Sequence, residues 1–302
     1  MTYVGRFAPS PTGPLHIGSL TTAVASFVHA KQSRGEWLVR IEDIDPPRET
    51  PGAADRILHT LETFELTWDR SVVYQSARLE IYRQTAEALL RSGHAFLCSC
   101  TRSMLRAAGK VHAARYAGTC RDAAQHDLPT AIRVRVEPGE QTYVDGLQGL
   151  QRGDLSAASG DYVIFRKDGL PAYHLAVVVD DAALGVTTVV RGVDLLASTM
   201  THLHLQDKLG LRAPDYFHLP VITNEQGQKL SKQTKATPID VTAVRDIAAR
   251  VLEYLGLAVP ATLRGESPGT LWAWAIANWR IDFLSGKTKV PELELSRPPQ
   301  VD

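Results

Sequence analysis

The residues best suited to chemistry near the start of the chain are Arg6, Ser10, His16 and Ser19, set along Arg6-Phe7-Ala8-Pro9-Ser10-Pro11-Thr12-Gly13-Pro14-Leu15-His16-Ile17-Gly18-Ser19. An arginine can grip an oxyanion through two parallel hydrogen bonds, and histidine and serine can add single donors. Further along, Glu42 and Asp43 supply carboxylates, Tyr173 and Arg191 a phenol and a second guanidinium, and Lys229 and Lys232 two close cations.

Cys98, Cys100 and Cys120 form a second set. An odd number of cysteines packed this closely argues for a metal rather than a disulfide framework. Zinc favours tetrahedral thiolate and imidazole sites, so a fourth ligand is needed, and spacing alone nominates His112 or His126.

These residues need elements to position them. Residues 3–8 read as a short apolar strand; three prolines and Gly13 then forbid regular structure, and residues 17–30 read as a helix. The free N–H groups and positive dipole end of that helix suit a phosphate or carboxylate, and Gly18 admits a close approach. Residues 36–41 read as a buried strand that delivers Glu42, and residues 185–190 as another that delivers Arg191. Residues 55–64, 77–92 and 198–209 have helical spacing, with His202 and His204 on different helix faces as packing or surface residues. Residues 131–136 and 161–167 alternate like strands around a turn at Lys167-Asp168-Gly169, and residues 214–223 lead through a strand to Lys229. Residues 171–181 begin as a ligand-facing loop or helix start and continue as buried apolar sequence. Residues 239–257 and 271–284 read as two helices packed by Trp272, Trp274 and Trp279, and the last dozen residues as loosely ordered. Strands alternating with helices predict an α/β fold, a parallel sheet with helices on both faces and ligands at the strands' carboxyl ends. A dinucleotide fingerprint is missing, and Gly286-Lys287-Thr288 is no phosphate loop because Ile281 stands where the upstream glycine belongs.

The 302 residues are 44% apolar, enough for a buried core, and 33 basic residues balance 33 acidic ones, so no global field draws in nucleic acid. No apolar run approaches the ~20 residues of a membrane span and no signal pattern opens the chain, so the expectation is a cytoplasmic protein with no membrane partner.

Arg6-Phe-Ala-Pro-Ser-Pro-Thr-Gly with His16-Ile-Gly-Ser resembles the first signature of class I aminoacyl-tRNA synthetases of the glutamyl type, and Lys229-Leu-Ser-Lys-Gln233 resembles their second. Glu42-Asp43 and Tyr173-His-Leu-Ala176 fall between them in the right order, and the resemblance spans roughly residues 3 to 240. It implies a Rossmann-like class I catalytic core with halves at residues 1–92 and 136–238, a small zinc-binding insertion at 93–135, and a short helical segment at 239–302 with no anticodon-binding domain. It also implies that Arg6 and Arg191 hold carboxylate, Ser10 donates to L-glutamate, Glu42 meets the ammonium and Tyr173 closes the pocket. ATP, with Mg2+, would lie over His16, Gly18, Ser19 and Lys232, while His16, Lys229 and Lys232 stabilise charge at the α-phosphate. The shorter members' pattern Cys-x-Cys…Tyr-x-x-x-Cys makes Tyr116 the fourth ligand of one structural zinc beside Cys98, Cys100 and Cys120. Ser19 replaces a histidine of the first signature, and Val177 replaces an asparagine, which predicts looser glutamate binding. The short form implies a monomer that activates glutamate without tRNA and attaches it to the queuosine base of tRNA(Asp). The alternatives are a short enzyme charging the tRNA 3′ end, a silent RNA-binding paralogue, and a small-molecule adenylating ligase.

Overall fold

The structure is a computed structural model describing residues 2–107, 116, 118–122, 129–230 and 238–292. Ser231, Lys232, Gln233, His112, His126 and the last ten residues therefore lie outside the described residues.

The first strand, β1 (Val4–Phe7), pairs in parallel with β2 (Glu36–Ile41), which pairs in parallel with β3 (Val73–Tyr74). Helix α1 (Ile17–Gln32) makes the β1–β2 crossover. On the other side of β1, the Thr187 amide donates to Val4 O at 2.9 Å and leads into β9 (Thr188–Gly192), which pairs in parallel with β10 (Asp215–Leu219). Successive strand side chains point to opposite faces. Phe7, Trp37, Val39, Ile41 and Val190 thus join one apolar core with α1, α2 (Ala53–Thr63), α8 (Val244–Tyr254) and α9 (Pro268–Asn278).

The opposite face differs. There Val4, Leu38 and Val189 form a small apolar cluster, and in the same alternation stand Arg6, Arg40 and Arg191, all at most 4% exposed. Two helices, α6 (Tyr173–Ala183) and α7 (Leu196–Lys208), cover this face. Arg40, fully buried, bonds Asp181 at 2.5 Å and Glu42 at 3.1 Å, with Asp180 at 3.8 Å, and Arg6 bonds Asp181 at 3.3 Å. Asp180 in turn accepts from Gln75, Arg78 and Tyr82, the last on α3 (Leu79–Arg91). The expected stretch 171–181 is therefore a loop at 171–172 followed by α6, whose two adjacent carboxylates, rather than apolar sequence alone, meet the sheet.

Beyond this lies an antiparallel sheet, in order β4 (Ala95–Cys98), β5 (Ala131–Val134), β8 (Val163–Phe165), followed in the chain by α6. A short helix, α4 (Arg102–Ala107), follows β4. The hairpin β6 (Glu140–Asp145)–β7 (Gly149–Asp154), unforeseen from sequence, leads into α5 (Leu155–Ala158). The expected helix at 239–257 starts only at Val244, because Asp240 ties residues 240–243 into a turn by accepting from Thr242. The expected helix at 271–284 ends at Asn278 and resumes as a tight turn at Ile281–Leu284, because Trp279 is extended. Trp272 and Trp279 are buried and tie this segment to Phe64 and His29, so they pack it onto the core rather than onto α8 alone. Finally β12 (Lys289–Pro291) pairs in parallel with β11 (Val221–Thr223).

Removing one member of a buried ionic cluster strands its partners without charge compensation. Arg40→Met should therefore lower the unfolding free energy by about 3–5 kcal/mol, measured by urea denaturation; a loss indistinguishable from zero would mean that Arg6 and Arg78 suffice to hold the two aspartates.

Candidate active site and thiol cluster

At the carboxyl ends of β1, β2 and β9 opens a cavity of about 780 Å3. Its walls include Arg6, Ser10, His16, Gly18, Ser19, Glu42, Tyr173, Arg191 and Lys229, so the structure gathers every described candidate of the pocket into one space. Val177 is buried and does not line it.

The first wall is the turn between β1 and α1. His16 caps α1: its Nδ1 accepts the Ser19 amide at 3.4 Å and its Nε2 lies 3.0 Å from Ser19 Oγ. A side chain at Gly18 would bring a carbon within 3.2 Å of the imidazole, so glycine lets His16 lie flat on the first turn. Gly18 and Ser19 of the first turn of α1 line the cavity there, and a helix N-terminus is a natural seat for phosphate.

The second wall is the charged face of the sheet. Arg6 spends its Nε on Asp181, and its two terminal nitrogens make no hydrogen bond among the described residues. Burial raises the Glu42 pKa against the pull of Arg40 and Arg6. Burial also pushes the Tyr173 phenol up to about 12, so it remains a neutral hydrogen-bonding group. Arg191 is held on several sides, with Nε to His218 at 3.0 Å and Nη1 to His202 at 3.2 Å. Its Nη2 reaches Thr199 at 2.8 Å and Leu195 O at 3.3 Å. At the rim, Lys229 Nζ lies 2.6 Å from Asp194 Oδ2, and Leu230 anchors its loop among Ile222, Tyr254 and Val290.

The packed residues behind these walls escaped sequence reasoning: Arg40, Asp180, Asp181, Asp145, Thr199 and His218. Three of them carried a signal, since a lone arginine inside an apolar strand and a double aspartate inside an apolar helix are costly unless they meet.

The thiols lie apart from the cavity. The Sγ atoms of Cys98, Cys100 and Cys120 all fall within 4.8 Å of one another, and all three cysteines are buried. Tyr116 completes the group: its hydroxyl lies 3.5 Å from Cys98 Sγ and 3.8 Å from Cys100 Sγ and accepts the Cys120 amide at 2.7 Å. Four ligands tetrahedrally placed at about 2.3 Å from one ion lie about 3.8 Å apart, so this donor set fits a metal of zinc's size. The Arg133 guanidinium lies 4.0 Å over the Tyr116 ring, and Lys167 ties down Ser99 O at 2.6 Å. Burial raises the Cys100 thiol to about 11, whereas hydrogen bonds from Tyr116 and Cys100 outweigh burial at Cys120 and lower it to about 6.

With this geometry in hand, comparison with known proteins is specific. The family described as class I tRNA synthetases (E and Q), catalytic domain, matches residues 3–258. A glutamyl-Q tRNA(Asp) synthetase of Chromobacterium violaceum is 51% identical over 293 residues, covering 96% of this chain and 98% of that protein. One from Neisseria meningitidis serogroup C is 46% identical over 302 residues, covering 98% and 100%. Among solved structures, the glutamate-tRNA synthetase of Elizabethkingia anophelis superposes with a TM-score of 0.81 at 25% identity, covering 96% of this chain and 68% of that one.

The purified protein should carry about one equivalent of metal, since the three buried thiols form one cluster that could hold an ion. Elemental analysis should show Cys98→Ser lowering that content; a metal-free and fully stable protein would remove the claim.

Proposed function

Because the chain belongs to the class I tRNA synthetase (E and Q) catalytic family, we propose that it activates L-glutamate with ATP, without tRNA, and transfers the glutamyl group to the queuosine base of tRNA(Asp). The observation that carries this reading is the convergence of Arg6, Ser10, Glu42, Tyr173, Arg191, His16 and Lys229 on one cavity, in a chain whose near-full-length relatives bear that activity in their name. In this reading residues 1–92 and 136–238 are the halves of the catalytic core, 93–135 the metal-bearing insertion and 239–302 a C-terminal segment. The protein acts as a cytoplasmic monomer.

Arg6, with two uncommitted nitrogens, takes one carboxylate of glutamate, and Arg191 the other. Glu42 receives the ammonium, Ser10 donates, and Tyr173 shuts the pocket. A neutral rival such as glutamine would leave an arginine unpaired, which costs far more than a lost surface contact. The substrate carboxylate attacks the α-phosphorus of ATP, pyrophosphate leaves, and a glutamyl-adenylate remains. Negative charge grows on the phosphate oxygens, where the first turn of α1, His16, Lys229 and Lys232 stabilise it, with Gly18 and Ser19 lining the nucleotide. Mg2+ travels with the ATP phosphates. Zinc would be held by Cys98, Cys100, Tyr116 and Cys120, and four protein ligands would make its contribution structural, cross-linking the chain after β4.

Pyrophosphate exchange with L-glutamate should proceed without tRNA, and labelled glutamate should then move to queuosine-bearing tRNA(Asp). Lys232→Ala should slow exchange by about 10²–10³-fold. Exchange that requires tRNA would favour charging of the 3′ end instead, and no exchange under either condition a silent paralogue. The raised pKa of Glu42 sets a pH dependence. The ammonium needs the carboxylate form, so as pH falls Glu42 protonates earlier than an ordinary acid of pKa about 4.3, and the KM for glutamate should climb. A KM that stays flat until ordinary exposed carboxylates titrate would contradict that role.

A further inference from the structure

The hairpin β6–β7 ends its first strand on Asp145, which is fully buried although a turn follows it directly. One carboxylate oxygen, Oδ1, accepts the amides of Leu147 at 3.0 Å, Gln148 at 2.9 Å and His218 at 3.2 Å. The other, Oδ2, lies 2.5 Å from Nδ1 of the buried His218 ring. That contact makes Nδ1 the protonated nitrogen and leaves Nε2 a lone pair. Burial raises the Asp145 carboxyl, but His218 and the amides outweigh it and hold it below the ordinary value; burial lowers His218, so the ring is neutral. His218 stands directly opposite Arg191 in the β9–β10 pairing, and its Nε2 receives Arg191 Nε at 3.0 Å, with Thr199 Oγ1 at 3.2 Å.

An arginine has five N–H groups. Here the Nε hydrogen goes to His218, one Nη1 hydrogen to His202, and the Nη2 hydrogens to Thr199 and Leu195 O. The second Nη1 hydrogen meets no acceptor among the described residues, on a side chain that lines the cavity. We propose that Asp145 and His218 are positioning residues: by fixing the imidazole tautomer they lock the Arg191 fork so that a single N–H is presented to the carboxylate of the amino-acid substrate. This rests on the reading of the cavity as a glutamate-activating site. A lysine at position 191 could not be locked in this way, because only a planar fork can be gripped at its back edge while its front faces a ligand.

Asp145→Asn is the sharpest test. The amide keeps the shape and still accepts from the backbone, but it donates to Nδ1, moves the imidazole proton to Nε2 and turns an acceptor into a donor against Arg191. The KM for glutamate in pyrophosphate exchange should rise about tenfold, the effect of losing roughly one hydrogen bond, with the KM for ATP and kcat nearly unchanged. His218→Phe should act alike, and His218→Gln, which can return an acceptor near the Nε2 position, should recover most of the loss. Equal damage to both KM values and kcat, or no rescue by glutamine, would reduce the pair to a packing role and overturn the inference. Arg191→Ala run in parallel separates the two levels. If it raises the glutamate KM and Asp145→Asn does not, the positioning role fails and the activation reading stands. If glutamate exchange ignores Arg191→Ala, the assignment of the cavity fails and the positioning role with it.

Discussion

Everything near the cavity depends on charge buried between the parallel sheet and α6. Arg40 is fully enclosed, and so is Asp180, with Asp181 nearly so. Taking such groups from water is costly, and only mutual contact at hydrogen-bond distance offsets it. Each contact constrains the next: Asp181 joins Arg40 to Arg6, Arg40 reaches Glu42, and Asp180 collects Gln75, Arg78 and Tyr82. Two residues with opposite tasks, Arg6 and Glu42, are thereby fixed relative to one another without touching a ligand. An apolar layer would hold the helix as firmly but would leave those two heads free to rotate.

The thiol cluster solves a different problem with the same economy. It sits at the end of β4, and among the described residues its apolar surroundings are essentially Phe96, the cysteines, Tyr116 and Leu105. A metal ion on these three thiols would supply cross-links that so small an apolar cluster does not. The cavity at the strand ends contains none of these residues, so the two sites are separable within one chain.

How much of this was legible depended on whether function or packing had written the residues. The turn from Arg6 to Ser19 could be read because prolines, glycine and a helix start leave the chain few options, and the cavity does form there. Cys98, Cys100 and Cys120 could be grouped from spacing, whereas the pairing of Tyr116 with them came only through kinship. Arg40 carried a signal that went unread, because its neighbours Trp37, Leu38, Val39 and Ile41 read as a plain buried strand and its partner Asp181 lies 141 positions away in the chain. The hairpin at β6–β7 was missed because its exposed face carries Val144 and Leu150 as cross-strand partners, so polarity does not alternate cleanly. Likewise the start of α8 was set by a side-chain turn at Asp240 that hydrophobic periodicity does not register.

The pairing of β12 with β11 couples distant parts of the chain. Val290 forms part of the cavity wall and packs beside Leu230, at the root of the lysine-bearing loop. The turn after β1 and the strand β12 thus close one space although they lie far apart in sequence, and the β11–β12 register sets where that wall stands. A substitution that loosens β12 from β11 would therefore be felt in the cavity, although β12 itself carries none of the charged residues that line it.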